Sequence, residues 1–196
     1  MDWKRTAVIF IGYQNDYFSS DGILRAVIEE ADRNNQILNN TLQVIKKLEK
    51  TDATLIQTPI IFTADYRELL NPVGILQTIK EVGAFREGSA GSEVIPEFHA
   101  YGDKIMTVVG KRGLNAFSNT QLDTVLKERG IQHVILAGAV TSICIDSTGR
   151  AAHERNYRVS ILSDCTASRT LLEQDFYCDN IFPLYAEVIP SSHLFA

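Results

Sequence analysis

The sequence is poor in the features that mark a disulfide framework, a metal centre, a membrane span or a nucleic-acid surface. It holds three cysteines in 196 residues, Cys144, Cys165 and Cys178, with no C-x-x-C pair. An odd number of thiols without close spacing suits a reducing compartment better than a stapled fold. Four histidines (His99, His133, His153 and His193) show neither H-x-x-H nor H-E-x-x-H spacing, so the sequence offers no support for zinc. No apolar run approaches the roughly 18–20 residues that a membrane-crossing helix needs. Met1-Asp2-Trp3-Lys4-Arg5 leads straight into an apolar segment without a signal-peptide pattern, and a cytoplasmic location is expected. Positive charge is also scarce. The net charge is −5 and Lys and Arg are scattered rather than striped, which argues against nucleic acid as a partner.

What is present is an ordinary globular composition, 45% hydrophobic and 22% charged. A chain of this length buries about 70% of the surface its unfolded form exposes, so its core needs neither disulfides nor metal, and no cofactor is expected. One domain over residues 1–196 is expected. Apolar periodicity alternates between short strand-like runs and longer helical segments. Ala7-Val8-Ile9-Phe10-Ile11, bounded by Gly12, reads as a strand buried on both faces. Ala31 to Lys50 reads as a helix, and Thr54 to Thr63 as a second strand interrupted by Pro59. Asn71-Pro72 reads as the cap and first position of a helix running to about Val82. Lys104 to Val109 reads as a third strand, Thr120 to Arg129 as a helix stopped by Gly130, and His133 to Ala137 as a fourth strand. Thr141 to Asn156 is expected helical, Arg158 to Leu162 a strand, a further helix starts near Ser168, and Tyr185 to Ile189 is the last strand. Strands separated by helices imply right-handed crossovers and an α/β fold with a parallel sheet between helix layers.

Ligands of open parallel sheets bind outside the carboxyl ends of the strands, so residues there carry positional meaning. The fourth strand ends in Ala137-Gly138-Ala139-Val140-Thr141-Ser142-Ile143-Cys144. Small residues make the turn, Thr141 or Ser142 is placed to cap the next helix, and Cys144 falls in that helix's first turn. Free N–H groups and the positive helix end favour a thiolate there and a developing oxyanion beside it. The competing reading is a small buried hydrophobe. Lys111, just past the third strand, can approach that thiolate if the two strands flank one crevice; otherwise it is a solvated surface lysine. Tyr13, Tyr17, Phe18, Tyr66 and Phe117 are candidates for an aromatic pocket or for plain core. Cys165 and Cys178 read as packing residues.

Taken in order, these segments resemble the isochorismatase-like hydrolases, the group that includes nicotinamidases and N-carbamoylsarcosine amidases. Val8 to Phe18 is similar to an apolar run followed by D-x-Q-N-D-F, and Lys111 to Phe117 to K-x-x-x-S-A-F. Gly138 to Cys144 resembles G-x-x-T-x-x-C, and Arg150-Ala151-Ala152, Tyr157-Arg158-Val159 and Asp164 to Ser168 match the downstream pattern. The likeness covers nearly the whole chain. It implies a Rossmann-like three-layer sandwich with a six-stranded parallel sheet, a small-molecule substrate, and self-association into a homo-oligomer. It also implies an Asp–Lys–Cys triad, of which Lys111 and Cys144 carry over, and a non-proline cis peptide in the elbow, at Ala139–Val140.

Two positions depart from the pattern. Gly12 stands where the triad aspartate, the general base, belongs. Asp16 matches the motif's second aspartate, which is usually structural in the family. In Phe62-Thr63-Ala64-Asp65-Tyr66-Arg67, similar to the nicotinamidase T-x-D-W-H segment, Arg67 replaces the histidine ligand, so no metal is expected. Asp65 and Asp16 are the candidates for a relocated base, although Asp65 reads first as a surface residue paired with Arg67. A family branch that cleaves isochorismate's vinyl ether relies on the aspartate and can dispense with the cysteine; this chain has the reverse pattern. The expected activity is hydrolysis of a small amide or ureido C–N bond through a thioester at Cys144. The alternatives are a binder or scaffold that lost the chemistry, and a thiol-reactive sensor.

Overall fold

The computed structural model describes residues 1–195. Six strands form one wholly parallel sheet: β1 (Thr6–Ile11), β2 (Thr54–Thr58), β3 (Ile105–Thr107), β4 (His133–Ala139), β5 (Arg158–Ala167) and β6 (Glu187–Ile189), in the order β3-β2-β1-β4-β5-β6. The helices are α1 (Asn15–Phe18), α2 (Arg25–Asn35), α3 (Ile37–Leu48), α4 (Ile75–Val82), α5 (Pro96–His99), α6 (Leu122–Glu128), α7 (Asp146–Glu154) and α8 (Leu171–Phe176).

Every residue of β1 is buried, and the two-residue period of a strand divides them between two cores. Val8 and Phe10 pack with Ile28, Ile37, Val44, Ile45 and Leu48 of α2 and α3. Ala7, Ile9 and Ile11 pack with Leu122, Leu126, Ala151 and Ala152 of α6 and α7 on the opposite face. The sheet is thus the middle layer of a three-layer α/β sandwich, as expected. Successive strands run outward from β1 in one direction and from β4 in the other, so the crevice at their carboxyl ends is the topological switch point. Among the described residues no helix is long and apolar enough to cross a membrane.

Several element limits differ from the sequence reading for local reasons. The helix expected from Ala31 to Lys50 is two helices, broken at Gln36 in the left-handed region (φ 51°), where Asp32 accepts both the Gln36 N–H through its carbonyl and the Leu38 N–H through Oδ1. β2 stops at Thr58, because Pro59 has no N–H to donate to a ladder. Asn71-Pro72 lies outside α4, which starts only after Gly74. β5 runs on to Ala167 through a register shift against β4 between Leu136 and Gly138.

Candidate active site

The elbow after β4 begins at Gly138, whose φ is +128° and whose missing side chain matters: a Cβ there would lie 1.9 Å from the Ile11 carbonyl oxygen of the neighbouring strand. Glycine is required for β1 and β4 to stay paired to their ends. The Ala139–Val140 peptide that follows is cis. The chain then turns through Thr141–Ile145 as a wide π-type turn, with the Ile145 N–H reaching the Val140 carbonyl at 3.2 Å. Such turns occur at functional sites and point a side chain away from the regular helical track. Neither Thr141 nor Ser142 caps this turn; the Thr141 hydroxyl donates instead to Gln174 Oε1 at 2.7 Å. Cys144 occupies the turn and is 7% exposed.

Lys111 reaches Cys144 by a different route from the one its sequence position suggests. β3 and β4 do not flank one crevice, since β2 and β1 lie between them. The segment after β3 instead crosses back over the end of β2, where Lys111 pairs with Ile60 and its carbonyl accepts the Ile61 N–H at 3.2 Å. From there the side chain runs inward, 1% exposed, and Nζ lies 2.6 Å from the Gly113 carbonyl and 3.6 Å from Cys144 Sγ. Among the described residues no carboxylate forms an ion pair with Lys111, so the cysteine sulfur is its nearest potential counter-charge.

These two groups share a narrow cavity with Gly12, Tyr17 and a wall of aliphatic side chains, among them Ile60 from the β2 extension and Ile75, Leu76 and Ile79 from α4. Its volume, about 10 Å³, is room for roughly one water molecule. No carboxylate lines it among the described residues.

Both candidates for a relocated base lie elsewhere. Asp16 Oδ2 accepts the Phe85 N–H at 2.6 Å, tying α1 to the loop after α4, and burial pushes its carboxyl above the usual range despite that bond. Gly91 packs so closely on Asp16 that a Cβ there would lie 2.0 Å from its Oδ1. This carboxylate, one of the two candidate bases, is thus held as a brace and does not line the cavity of Cys144 and Lys111. Asp65 is exposed, accepts from the Thr63 hydroxyl at 2.9 Å, and lies 3.5 Å from Arg67 Nε; the Thr63 bond first, then the Arg67 N–H and charge, hold its carboxyl below the usual range. Its pairing with Arg67 was the competing sequence reading, and it removes Asp65 from the site. A guanidinium at the ligand position also does not fit the metal of the nicotinamidase pattern. No group of three or more His, Cys, Asp or Glu is arranged to hold an ion among the described residues.

Of the five aromatic candidates only Tyr17 lines the cavity. Tyr13 turns into the core, its hydroxyl 2.6 Å from Thr41 Oγ, and stacks on Phe18. Tyr66 donates to the Ala84 carbonyl, and Phe117 stacks on Tyr157. The sequence reading missed the aliphatic wall from α4, because nothing in an amphipathic helix says which cavity its buried face closes.

Comparison with known proteins agrees with this architecture. The isochorismatase domain model matches residues 6–192. The chain belongs to the isochorismatase family. An uncharacterized isochorismatase family protein, YddQ of Bacillus subtilis, is 23% identical over 189 residues, covering 96% of this chain and 86% of that protein. Ureidoacrylate amidohydrolase RutB of Caulobacter segnis is 26% identical over 178 residues, covering 85% and 74%. In structure, an isochorismatase-like hydrolase from Alkaliphilus metalliredigens superposes with a TM-score of 0.81 at 24% identity, covering 97% of each chain. The isochorismatase family includes amidohydrolases, and in this chain Lys111 and Cys144 lie in contact in a cavity that Gly12 also lines.

Proposed function

We propose that this isochorismatase-family chain is a cysteine hydrolase acting on a small amide or ureido C–N bond, with Cys144 as nucleophile and Lys111 as its counter-ion and proton carrier. The supporting observation is the 3.6 Å contact between a fully buried Lys111 Nζ and Cys144 Sγ in a cavity without a carboxylate. A buried ammonium left unpaired costs several kcal/mol, and a thiolate beside it relieves that cost. The similarity to ureidoacrylate amidohydrolase supports the same bond class.

The steps balance with these two groups alone. The thiolate adds to the carbonyl carbon, forming the C–S bond and moving the C=O pair to oxygen. Collapse breaks the C–N bond while the Lys111 ammonium gives its proton to the departing nitrogen. Water then adds to the thioester and passes a proton to the neutral Lys111 amine. The C–S bond breaks, the acid leaves, and the thiolate–ammonium pair is restored. Lysine can serve as such a base in a desolvated site.

Gly12 and the carboxylate-free cavity favour a second reading, a binder that kept the fold and lost turnover. Ammonia or amine release across a panel of small amides and ureido compounds separates the two. Turnover abolished by Cys144→Ala supports the hydrolase. A wild type inert on the whole panel, with Cys144 still open to alkylation, supports the binder. A cytoplasmic homo-oligomer is proposed on the same family likeness, and light scattering giving a monomer at micromolar concentration contradicts it.

A further inference from the structure

Five tyrosines of this chain are buried to at least 94%, or donate from partly buried positions to a fixed acceptor, and one stands apart from the rest. Tyr13 bonds Thr41 and the Cys165 carbonyl, Tyr66 the Ala84 carbonyl, Tyr157 Asp123 and Tyr185 Asp146. The Tyr17 hydroxyl has no hydrogen-bond partner among the described residues, although the residue is only 3% exposed. Its oxygen is not among the fully buried polar atoms left without a partner, so it keeps access to water or to an incoming group. Tyr17 also lines the cavity that holds Cys144 and Lys111. Its ring lies against the bare face of Gly12, with Cδ2 and Cε2 at 3.5 and 3.6 Å from where a Cβ would stand. In the motif that the first strand resembles, this position is phenylalanine and residue 12 is aspartate. Here a tyrosine ring stands where the motif has phenylalanine, against residue 12, where the motif has aspartate.

We infer that the Tyr17 hydroxyl is the cavity's hydrogen-bond donor to the carbonyl oxygen of a small, uncharged acyl compound delivered to Cys144. The inference rests on the nucleophile role proposed above. Burial and the neighbouring Cys144 hold the phenol protonated well above its ordinary range, so the group is a donor and does not replace a base. The aliphatic wall from Ile60, Ile75, Leu76 and Ile79 packs against the body of an uncharged acyl group, which sets the substrate class. As the thiolate adds and the carbonyl oxygen gains charge, a fixed donor strengthens its bond to it.

The test compares two reactions of the same thiol in the wild type and in Tyr17→Phe, which keeps the ring on Gly12 and removes only the oxygen. With p-nitrophenyl acetate the C–S bond forms, the C–O bond breaks and nitrophenolate leaves with the electron pair; the oxyanion needs a donor. With methyl iodide the thiolate displaces iodide at carbon and no oxygen is involved. Tyr17→Phe is expected to slow acylation by about 10²-fold, the scale of one lost oxyanion donor, and to leave methylation within about twofold. Equal acylation rates in the two proteins overturn the inference. So does an equal loss in both reactions, which would mean that the hydroxyl acts on the thiol or on packing. A wild type in which Cys144 methylates but never acylates instead refutes the nucleophile role itself, and the two failures are therefore distinct.

Discussion

The ring of Tyr17 closes over Gly12: a Cβ built on that glycine lies 3.5 Å from Tyr17 Cδ2 and 3.0 Å from the Ala139 carbonyl oxygen. The glycine also holds φ at +75°, where an L side chain is strained by about 1–2 kcal/mol. The backbone and packing at residue 12 are thus fitted to a glycine.

Installing an aspartate at residue 12 should therefore harm this protein. Gly12→Asp and Gly12→Ala are both expected to lower stability by about 1–2 kcal/mol in denaturant unfolding, with no gain in turnover from the acid. A Gly12→Asp protein as stable as the wild type and faster on amides would show that the backbone still accepts the family's base.

Asp16 should behave as a brace. Asp16→Ala leaves the buried Phe85 N–H without its acceptor, a loss on the order of 1–3 kcal/mol in unfolding free energy. The methylation rate of Cys144 in the folded variant is expected to stay at the wild-type value. A slower Cys144 in a protein of unchanged stability would return Asp16 to the list of bases.

The sheet, its helix layers and the placing of Cys144 were legible because they rest on local signals: a continuous apolar run in β1, a small-residue elbow after β4, glycines past helix ends. The Lys111–Cys144 contact was legible only as two motifs, since the return of the chain over β2 that joins them is a tertiary event with no periodic trace. Asp65 and Asp16 were drawn into the candidate site by their positions in motifs, and their true partners, Arg67 and the Phe85 N–H, settle where each points. Gln36 shows the same limit in the fold. A left-handed residue other than glycine gives no compositional warning, so one expected helix is two.

His133 provides a pH test of the core. Burial first, then the charge of Arg158, lowers its imidazole from 6.5 to about 4, and Nε2 lies 2.8 Å from Ser160 Oγ. A native state that holds histidine neutral is fully stabilised above 6.5 and loses that contribution as pH falls toward 4. The unfolding midpoint of the wild type should thus fall across this interval more steeply than that of His133→Asn. Parallel slopes in the two proteins would contradict the assignment.

The three thiols should differ sharply in reactivity. Burial, followed by the charge of Asp164, pushes Cys165 up to about 12, and burial with Asp179 and Asp175 does the same for Cys178. Among the described residues, Cys144 alone of the three thiols has an ammonium beside it. Limited alkylation at neutral pH, read by peptide mass, is expected to mark Cys144 first; labelling of Cys165 or Cys178 ahead of it would remove the nucleophile assignment.

The account as a whole depends on Lys111 acting as the charge partner of Cys144 across 3.6 Å. The rate of Cys144 methylation in Lys111→Met measures that directly, because methionine keeps the buried stem and deletes the ammonium. The rate is expected to fall by about tenfold or more, as for a sulfur nucleophile that has lost an adjacent cation. A Lys111→Met rate equal to that of the wild type would mean that the contact is packing alone, and the charge-partner role of Lys111 would have to be abandoned.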